Sequence, residues 1–271
     1  MKRREVAETE ALLRERETWY VAAGSRFLNR SCDVWTLRDT AGDLSSLLIY
    51  SKQTLMPVFR GRREIPPPKF LCGFFSAVPI HSVQGLRSET IVLENALKEL
   101  GRLVAENIDF DLMHIDRPPD QRCHSAGPVN LILRKPQYTD MDALAALQAA
   151  YEQEEVLPKA AEFNAAVSRL NAQQILSREQ ILVAELGGRL VGKINTSALS
   201  FTRFQVGGVY VHPDFRGLGI GRRMAAEFIR SLIAQGRGVT LFVKKSNIPA
   251  RKVYQRLGFQ TLGDYRISYY E

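Results

Sequence analysis

Apolar positions recur along this 271-residue chain with two spacings, and the second half shows them most clearly. Val129–Leu133 is a short apolar run closed by Lys135-Pro136 and reads as a strand. Thr139 followed three residues later by Asp142 is a capping-box pattern. A helical face follows at Met141, Leu144, Gln148 and Tyr151, ended or kinked by Pro158. A second helical stretch runs from about Ala160 to Leu176. Ile181–Leu186, a Gly187-Gly188 turn and Leu190–Leu199 predict a hairpin from turn chemistry and β-branched content. Phe204–His212, closed by Pro213, is a further strand. Ile220, Met224, Phe228, Leu232 and Ile233 then repeat at helical spacing, with Gly236 as the expected C-cap. Val239–Val243 predicts a short strand, Pro249–Leu257 a short helix, and two strands finish at Tyr270. The resulting order is β-α-α-β-β-β-α-β-α-β-β.

The first half has a weaker pattern. Glu10–Leu28 predicts a helix, Val34–Leu37, Leu47–Ser51 and Leu55–Phe59 strands, and Arg60–Lys69 a loop. Phe70–Val78 predicts a strand, Glu89–Asn107 a helix and Phe110–Ile115 a strand. Arg117–Pro128, rich in Pro, Gly and Ser, is the expected linker. The length suits two domains, and the expected division is residues 1–127 and 128–271.

Composition excludes several classes. Apolar residues make up 45% and charged residues 24%, as in globular proteins and unlike disordered or fibrous chains. No apolar run approaches the roughly 18 residues of a membrane span. The start, Met1-Lys2-Arg3-Arg4, turns acidic at Glu5, Glu8 and Glu10 with no secretory apolar core, so a cytoplasmic protein is expected. Cys32, Cys72 and Cys123 are far apart, and His81, His114, His124 and His212 are scattered, so neither a disulfide framework nor a metal site is expected. The net charge of +8 is unevenly placed: +1 over residues 1–127, +7 over 128–271, and +10 over 163–271. Residues 139–162 hold six acids against one lysine. Such an excess favours an anionic partner, either nucleic acid or a phosphorylated cofactor.

The most informative segment is Arg216-Gly217-Leu218-Gly219-Ile220-Gly221, between a strand and an amphipathic helix. A glycine turn there presents backbone N–H groups at the positive end of a helix, which favours a phosphate. A dinucleotide fingerprint fails, because Arg222 stands where its third glycine belongs and Leu241–Lys245 offers no ribose-binding acid. A Walker A loop fails for want of a terminal Gly-Lys-Ser/Thr. A ligand-free glycine turn remains the plain alternative.

Arg216-x-x-Gly219-x-Gly221 resembles the Q/R-x-x-G-x-G/A pyrophosphate loop of the GNAT superfamily of acyl-CoA-dependent N-acyltransferases. Val209-Tyr210-Val211-His212-Pro213 resembles the superfamily's cofactor strand and its exit. Asn247–Phe259 is similar to its second signature, N-x-x-A-x-x-x-Y-x-x-x-G-F. The resemblance covers residues 129–271 and implies an α/β (α+β) fold, with a mixed, mostly antiparallel sheet flanked by helices and a second α/β domain before it.

That resemblance implies acetyl-CoA as co-substrate, no metal, and direct acetyl transfer to a small-molecule or protein amine. The Gly217–Gly221 turn would hold the CoA pyrophosphate through the amides of Leu218, Gly219, Ile220 and Gly221, with Arg216 or Arg222 supporting its charge. Val209, Tyr210 and Val211 would pair with pantetheine, and an amide of Val209 or Tyr210 would polarise the thioester carbonyl. Asn247 would serve the cofactor side or cap its helix. Tyr254 would be the general acid for the leaving thiolate, its ordinary pKa of about 10 being close to that of a thiol. Gln205–Tyr210 lacks the glutamate that family members often use as base. Glu152, Glu154 and Glu155 are the candidate acceptor-site acids, although a solvated helix face explains such a run more often than function does. Neither nucleic acid nor membrane is an expected partner, and a homodimer is one assembly open to the chain. The other reading is a regulatory module that binds acyl-CoA without turnover.

The first half carries a fainter echo. Val83-Gln84-Gly85-Leu86-Arg87-Ser88-Glu89 resembles the turn at 215–221, with Arg87 and Glu89 in place of the two glycines. Side chains there, one of them anionic, would block pyrophosphate binding. The reading is a degenerate GNAT-like domain, with an unrelated α+β domain as the alternative; either would shape the acceptor site or an interface rather than bind CoA.

Overall fold

Leu47 and Ile49 point to one side of their strand and Leu48 to the other, and all three are fully buried, so this part of the chain needs cover on both faces. The computed structural model describes residues 3–60, 78–120, 127–158 and 161–270. Its first half comprises α1 (Arg3–Glu15), α2 (Val21–Leu28), β1 (Asp33–Arg38), β2 (Leu44–Ser51), β3 (Thr54–Phe59), β4 (Ser82–Leu86), α3 (Arg87–Glu99) and β5 (Val104–Ile115). Leu12 and Leu13 of α1 and Ala23 of α2 pack on Leu47 and Ile49, while Leu93, Ala96 and Leu97 of α3 pack on Leu48 and Leu55.

The second half repeats that scheme. It comprises β6 (Ile132–Arg134), α4 (Met141–Tyr151) running into a π-helical turn (Glu152–Val156), α5 (Ala165–Arg178), β7 (Ile181–Leu186) and β8 (Arg189–Leu199). β9 (Arg203–Val211), α6 (Ile220–Ile233), β10 (Gly238–Lys244), α7 (Ile248–Arg256) and β11 (Gln260–Tyr270) follow. Met224 and Phe228 of α6 pack against Val191 and Val206, and Leu144 and Leu147 of α4 against Val183 and Leu190.

Among the described residues one sheet of eleven strands joins the halves, in the order β1-β2-β3-β4-β11-β5-β10-β9-β8-β7-β6. β11 inserts between β4 and β5, antiparallel to both, with Ile267 opposite Gln84 and Ile108. β5 in turn lies between β11 and β10, with Leu112 opposite Phe242. Each half therefore takes a strand from the other. Charge follows the same exchange. Arg266 of β11 forks onto Asp109 of β5 at 2.7 and 3.0 Å. Arg251 and Lys245 meet Asp111 at 2.6 and 2.9 Å, and Arg203 meets Asp116 at 2.7 Å. Part of the basic excess of the second half is thus matched by acids of the first.

Several local expectations are corrected. The capping box lies around Gln137 and Asp140, one turn before α4, because Asp140 turns back to the Gln137 N–H at 2.6 Å. The two strands expected before Tyr270 are one, β11, with a register shift between Thr261 and Gly263. The helix expected over Glu89–Asn107 is α3, which stops at Glu99. Val83–Leu86 is strand β4, which runs straight into α3 with no glycine turn. All but the last residue of the strand expected over Phe70–Val78, most of the loop before it, the linker segment 121–126 and Ala160 lie outside the described residues.

Glu89, in the first turn of α3, is 7% exposed. Its Oε1 accepts from the Tyr20 hydroxyl and from the Phe59 N–H at 3.4 Å, and the Arg16 guanidinium lies 4.0 Å away. Burial pushes this carboxyl up from its ordinary 4.5 to about 7. The folded state therefore binds the proton more readily than the unfolded one. The associated stability is complete below about 4.5 and lost as pH rises through about 7. Glu89→Gln keeps both acceptor contacts without the buried charge. It should raise stability at pH 7.5 by about 1–2 kcal/mol and flatten the pH dependence between 5 and 7.5 in thermal melts. A lower melting point at pH 7.5 would show that the attraction of Arg16 outweighs the cost of burial.

Candidate functional site

The site begins where two parallel strands part. β9 and β10 pair only through Arg203–Val206 and Gly238–Leu241. Beyond Leu241 β10 keeps its pairing with β5, while β9 bulges against β8: Lys193 stands opposite Tyr210, but Asn195 stands opposite Gly207. The bulge sits at Gly208, whose φ is +58°. A Cβ there would lie 2.1 Å from Asn195 Oδ1 and 2.7 Å from Lys193 Nζ, so only glycine fits.

Lys193 is fully buried behind this bulge. Its Nζ donates to Gly208 O and to Asn195 Oδ1, each at 2.9 Å, and lies 4.7 Å from the centre of the Tyr151 ring. The Gly208 N–H donates to Tyr151 Oη at 3.2 Å. Both polar groups of the bulge peptide are thus held by side chains rather than by a neighbouring strand. Burial lowers the Lys193 ammonium to about 7, opposed by the charge of Glu152. Sequence reading passed over this assembly. Its one signal was the pair Gly207-Gly208 inside a strand pattern, which marks a bulge.

A cavity of about 790 Å³ opens on one side of the parted strands. Val209, Tyr210 and Val211 form one wall, and Arg216, Gly217, Gly219, Ile220, Gly221 and Arg222 another. Gly217 and Gly219 take positive φ, +78° and +79°, and Gly219 is the N-cap of α6. Ile220 is 1% exposed and anchors the turn in the core. The first amides of α6, which have no partner inside the helix, stand at this end. The Arg222 Nε is buried with no protein partner, a donor suited to an anion. Leu218 is half exposed and is not part of the cavity wall. Arg216 donates from Nε to Val211 O at 2.9 Å and grips Glu154 with its two terminal nitrogens at 2.8 and 2.7 Å. Those hydrogen bonds hold the Glu154 carboxyl below its usual range.

A second cavity, about 660 Å³, lies on the other side. The two share Glu155, Val209, Lys244, Asn247, Ala250 and Tyr254. Asn247 caps α7 by accepting from the Ala250 N–H at 3.1 Å, and its Nδ2 donates to Glu155 at 3.1 Å. Tyr254 is 6% exposed, packed edge-on against Phe259, and burial raises its phenol above the ordinary value.

The three candidate acids separate. Glu152 lines the second cavity and accepts from Gln148 and Asn171 at 2.7 and 2.9 Å. Glu155 stands at the junction, 3.4 Å from Lys244. Glu154, expected on the acceptor side, faces the first cavity and Arg216 instead. The first half of the chain also reaches the site: Ala22 and Arg26 of α2, Gln84 of β4, and Ile108 and Phe110 of β5 line the second cavity.

Residues 142–259 match the model of the Acetyltransferase (GNAT) family. The N-alpha-acetyltransferase RimI of Mycobacterium tuberculosis is 38% identical over 92 residues, which are 31% of this chain and 57% of that protein. The match thus spans little more than half of the relative. Among solved structures, a Drosophila protein is similar over 99% of this chain and 97% of its own, with a TM-score of 0.67 and 14% identity. A tandem GNAT protein from the clavulanic acid biosynthesis pathway is similar over 99% and 96%, with a TM-score of 0.63 and 15% identity.

Proposed function

From the match of residues 142–259 to the Acetyltransferase (GNAT) family model, we propose that the chain moves an acetyl group from acetyl-CoA to a primary amine by direct transfer. The observation that carries this reading is the meeting of two cavities at Tyr254, at the point where β9 and β10 separate. The glycine turn, the free α6 amides and the orphaned Arg222 Nε suit a pyrophosphate in the first cavity. The second cavity then receives the amine.

In this reading the amine nitrogen attacks the thioester carbonyl, the C–N bond forms and the C–S bond breaks. An N–H of Val209 or Tyr210 faces the developing oxyanion, and the Gly208 bulge, held by Lys193 and Tyr151, keeps that segment away from β10. Tyr254 gives its proton to the departing thiolate. Its raised pKa keeps the phenol protonated at neutral pH, as an acid requires. The proton lost by the amine passes to Glu155 or Glu152, which border the acceptor side. The first half supplies a wall of the acceptor cavity, and the buried Glu89 carboxylate stands in the first turn of α3, where the second half has its glycine turn.

Thiol release from acetyl-CoA, followed with a panel of primary amines, tests the reading. Release that requires both acetyl-CoA and an amine is expected. Tight CoA binding with no release for any amine would favour the non-catalytic, acyl-CoA-sensing module.

A further inference from the structure

The acceptor cavity carries opposite charges on walls contributed by different halves of the chain. Arg26 of α2 lines it and forms no salt bridge among the described residues. One terminal nitrogen donates to Ser51 Oγ at 3.1 Å, and the Nε is buried with no partner. On the side of the π-helical turn, Glu152 also forms no salt bridge among the described residues. Its partners are the neutral amides of Gln148 and Asn171. A part-buried guanidinium and a part-buried carboxylate border one cavity without a salt bridge among the described residues, Glu152 feeling only the more distant charge of Lys193; both are costly to desolvate, and a ligand bearing the opposite charges relieves both.

Resting on the acyl-transfer reading, we propose that the acceptor is a small amino acid-type compound, whose amine is met by Glu152 and whose carboxylate is held by Arg26. A planar guanidinium with unused N–H donors matches a carboxylate better than any other side chain does. The cavity lies between α2, β4 and β5 on one side and α4, α5 and β8–β10 on the other. The N-terminal half thereby sets substrate choice.

The test compares free amino acids with their decarboxylated amines and with amidated peptides, in acetyl-CoA-dependent thiol release. Free acids should be preferred by at least about 10-fold in kcat/KM. Arg26→Gln should erase that preference by raising KM for the acids, while KM for acetyl-CoA stays unchanged and decarboxylated amines lose far less than the acids. Arg26→Lys should restore part of the preference. Equal use of acids and decarboxylated amines, better use of peptides, or a loss in Arg26→Gln shared by all amines would overturn the assignment and leave acyl transfer standing. If no amine of any class releases thiol, the acyl-transfer reading falls, and calorimetric binding of the same amino acids then decides this proposal. Binding by the wild type that Arg26→Gln loses supports it, and no binding refutes it.

Discussion

Gly219→Asp is expected to abolish calorimetric CoA binding, with affinity at least about 100-fold weaker than wild type and an unchanged thermal melt. Gly219 has a φ of +79° and caps α6 at the cavity wall, where its neighbours' amides are free. Aspartate is among the few residues that tolerate this backbone region, and it is also a favoured N-cap, so the fold should survive. Its carboxylate would occupy the place proposed for a pyrophosphate, setting like charges against each other within a few ångströms of a partly desolvated turn. A loss of about 2.7 kcal/mol in binding gives the stated factor. Gly219→Ala separates charge from shape, because it strains the turn without placing an anion there. If Gly219→Asp bound CoA as the wild type does, the pyrophosphate assignment would be wrong.

Tyr254→Phe carries the second large effect. It removes one hydroxyl from a residue that borders both cavities and keeps the ring packed against Phe259. Loss of a general acid commonly costs 10²–10⁴-fold, and a drop of about 100-fold in kcat is expected, with KM for acetyl-CoA within a few-fold of wild type. The loss belongs in kcat because the hydroxyl acts on the leaving group rather than in ground-state binding. Full turnover by the variant across the pH range would remove Tyr254 from the chemistry and leave it a packing residue.

What was legible in the sequence was locally determined. The start of α6 at Ile220 follows from a glycine turn and an amphipathic repeat within a few residues. The cap of α7 by Asn247 is likewise contained in four consecutive residues. Pro213 closes β9 where a ring without an N–H must interrupt a ladder. The interleaving of β11 and β5 was not legible, because it depends on pairing between segments separated by most of the chain, and neither strand's alternation names its partner. Lys193 was missed for a related reason. A lysine in an alternating strand reads as solvent-facing, and only the bulge of a neighbouring strand provides the carbonyl that holds it. The acidic run shows the limit of helical periodicity. Glu152, Glu154 and Glu155 share one stretch, but the widened π-turn sends them to one cavity, the other and the junction. The charge count was informative in aggregate and misleading in detail, since Lys245, Arg251 and Arg266 answer acids of β5 rather than a ligand.

The insertion of β11 between β4 and β5 also sets an order on how the protein is made. During synthesis, β4 and β5 leave the ribosome long before the strand that belongs between them, and the gap cannot close until β11 has emerged. Until then both present unpaired backbone edges. The pairings that complete the sheet are among the most distant in the chain, so they should form late and slowly, and the nascent first half must be kept from alternative partners while it waits.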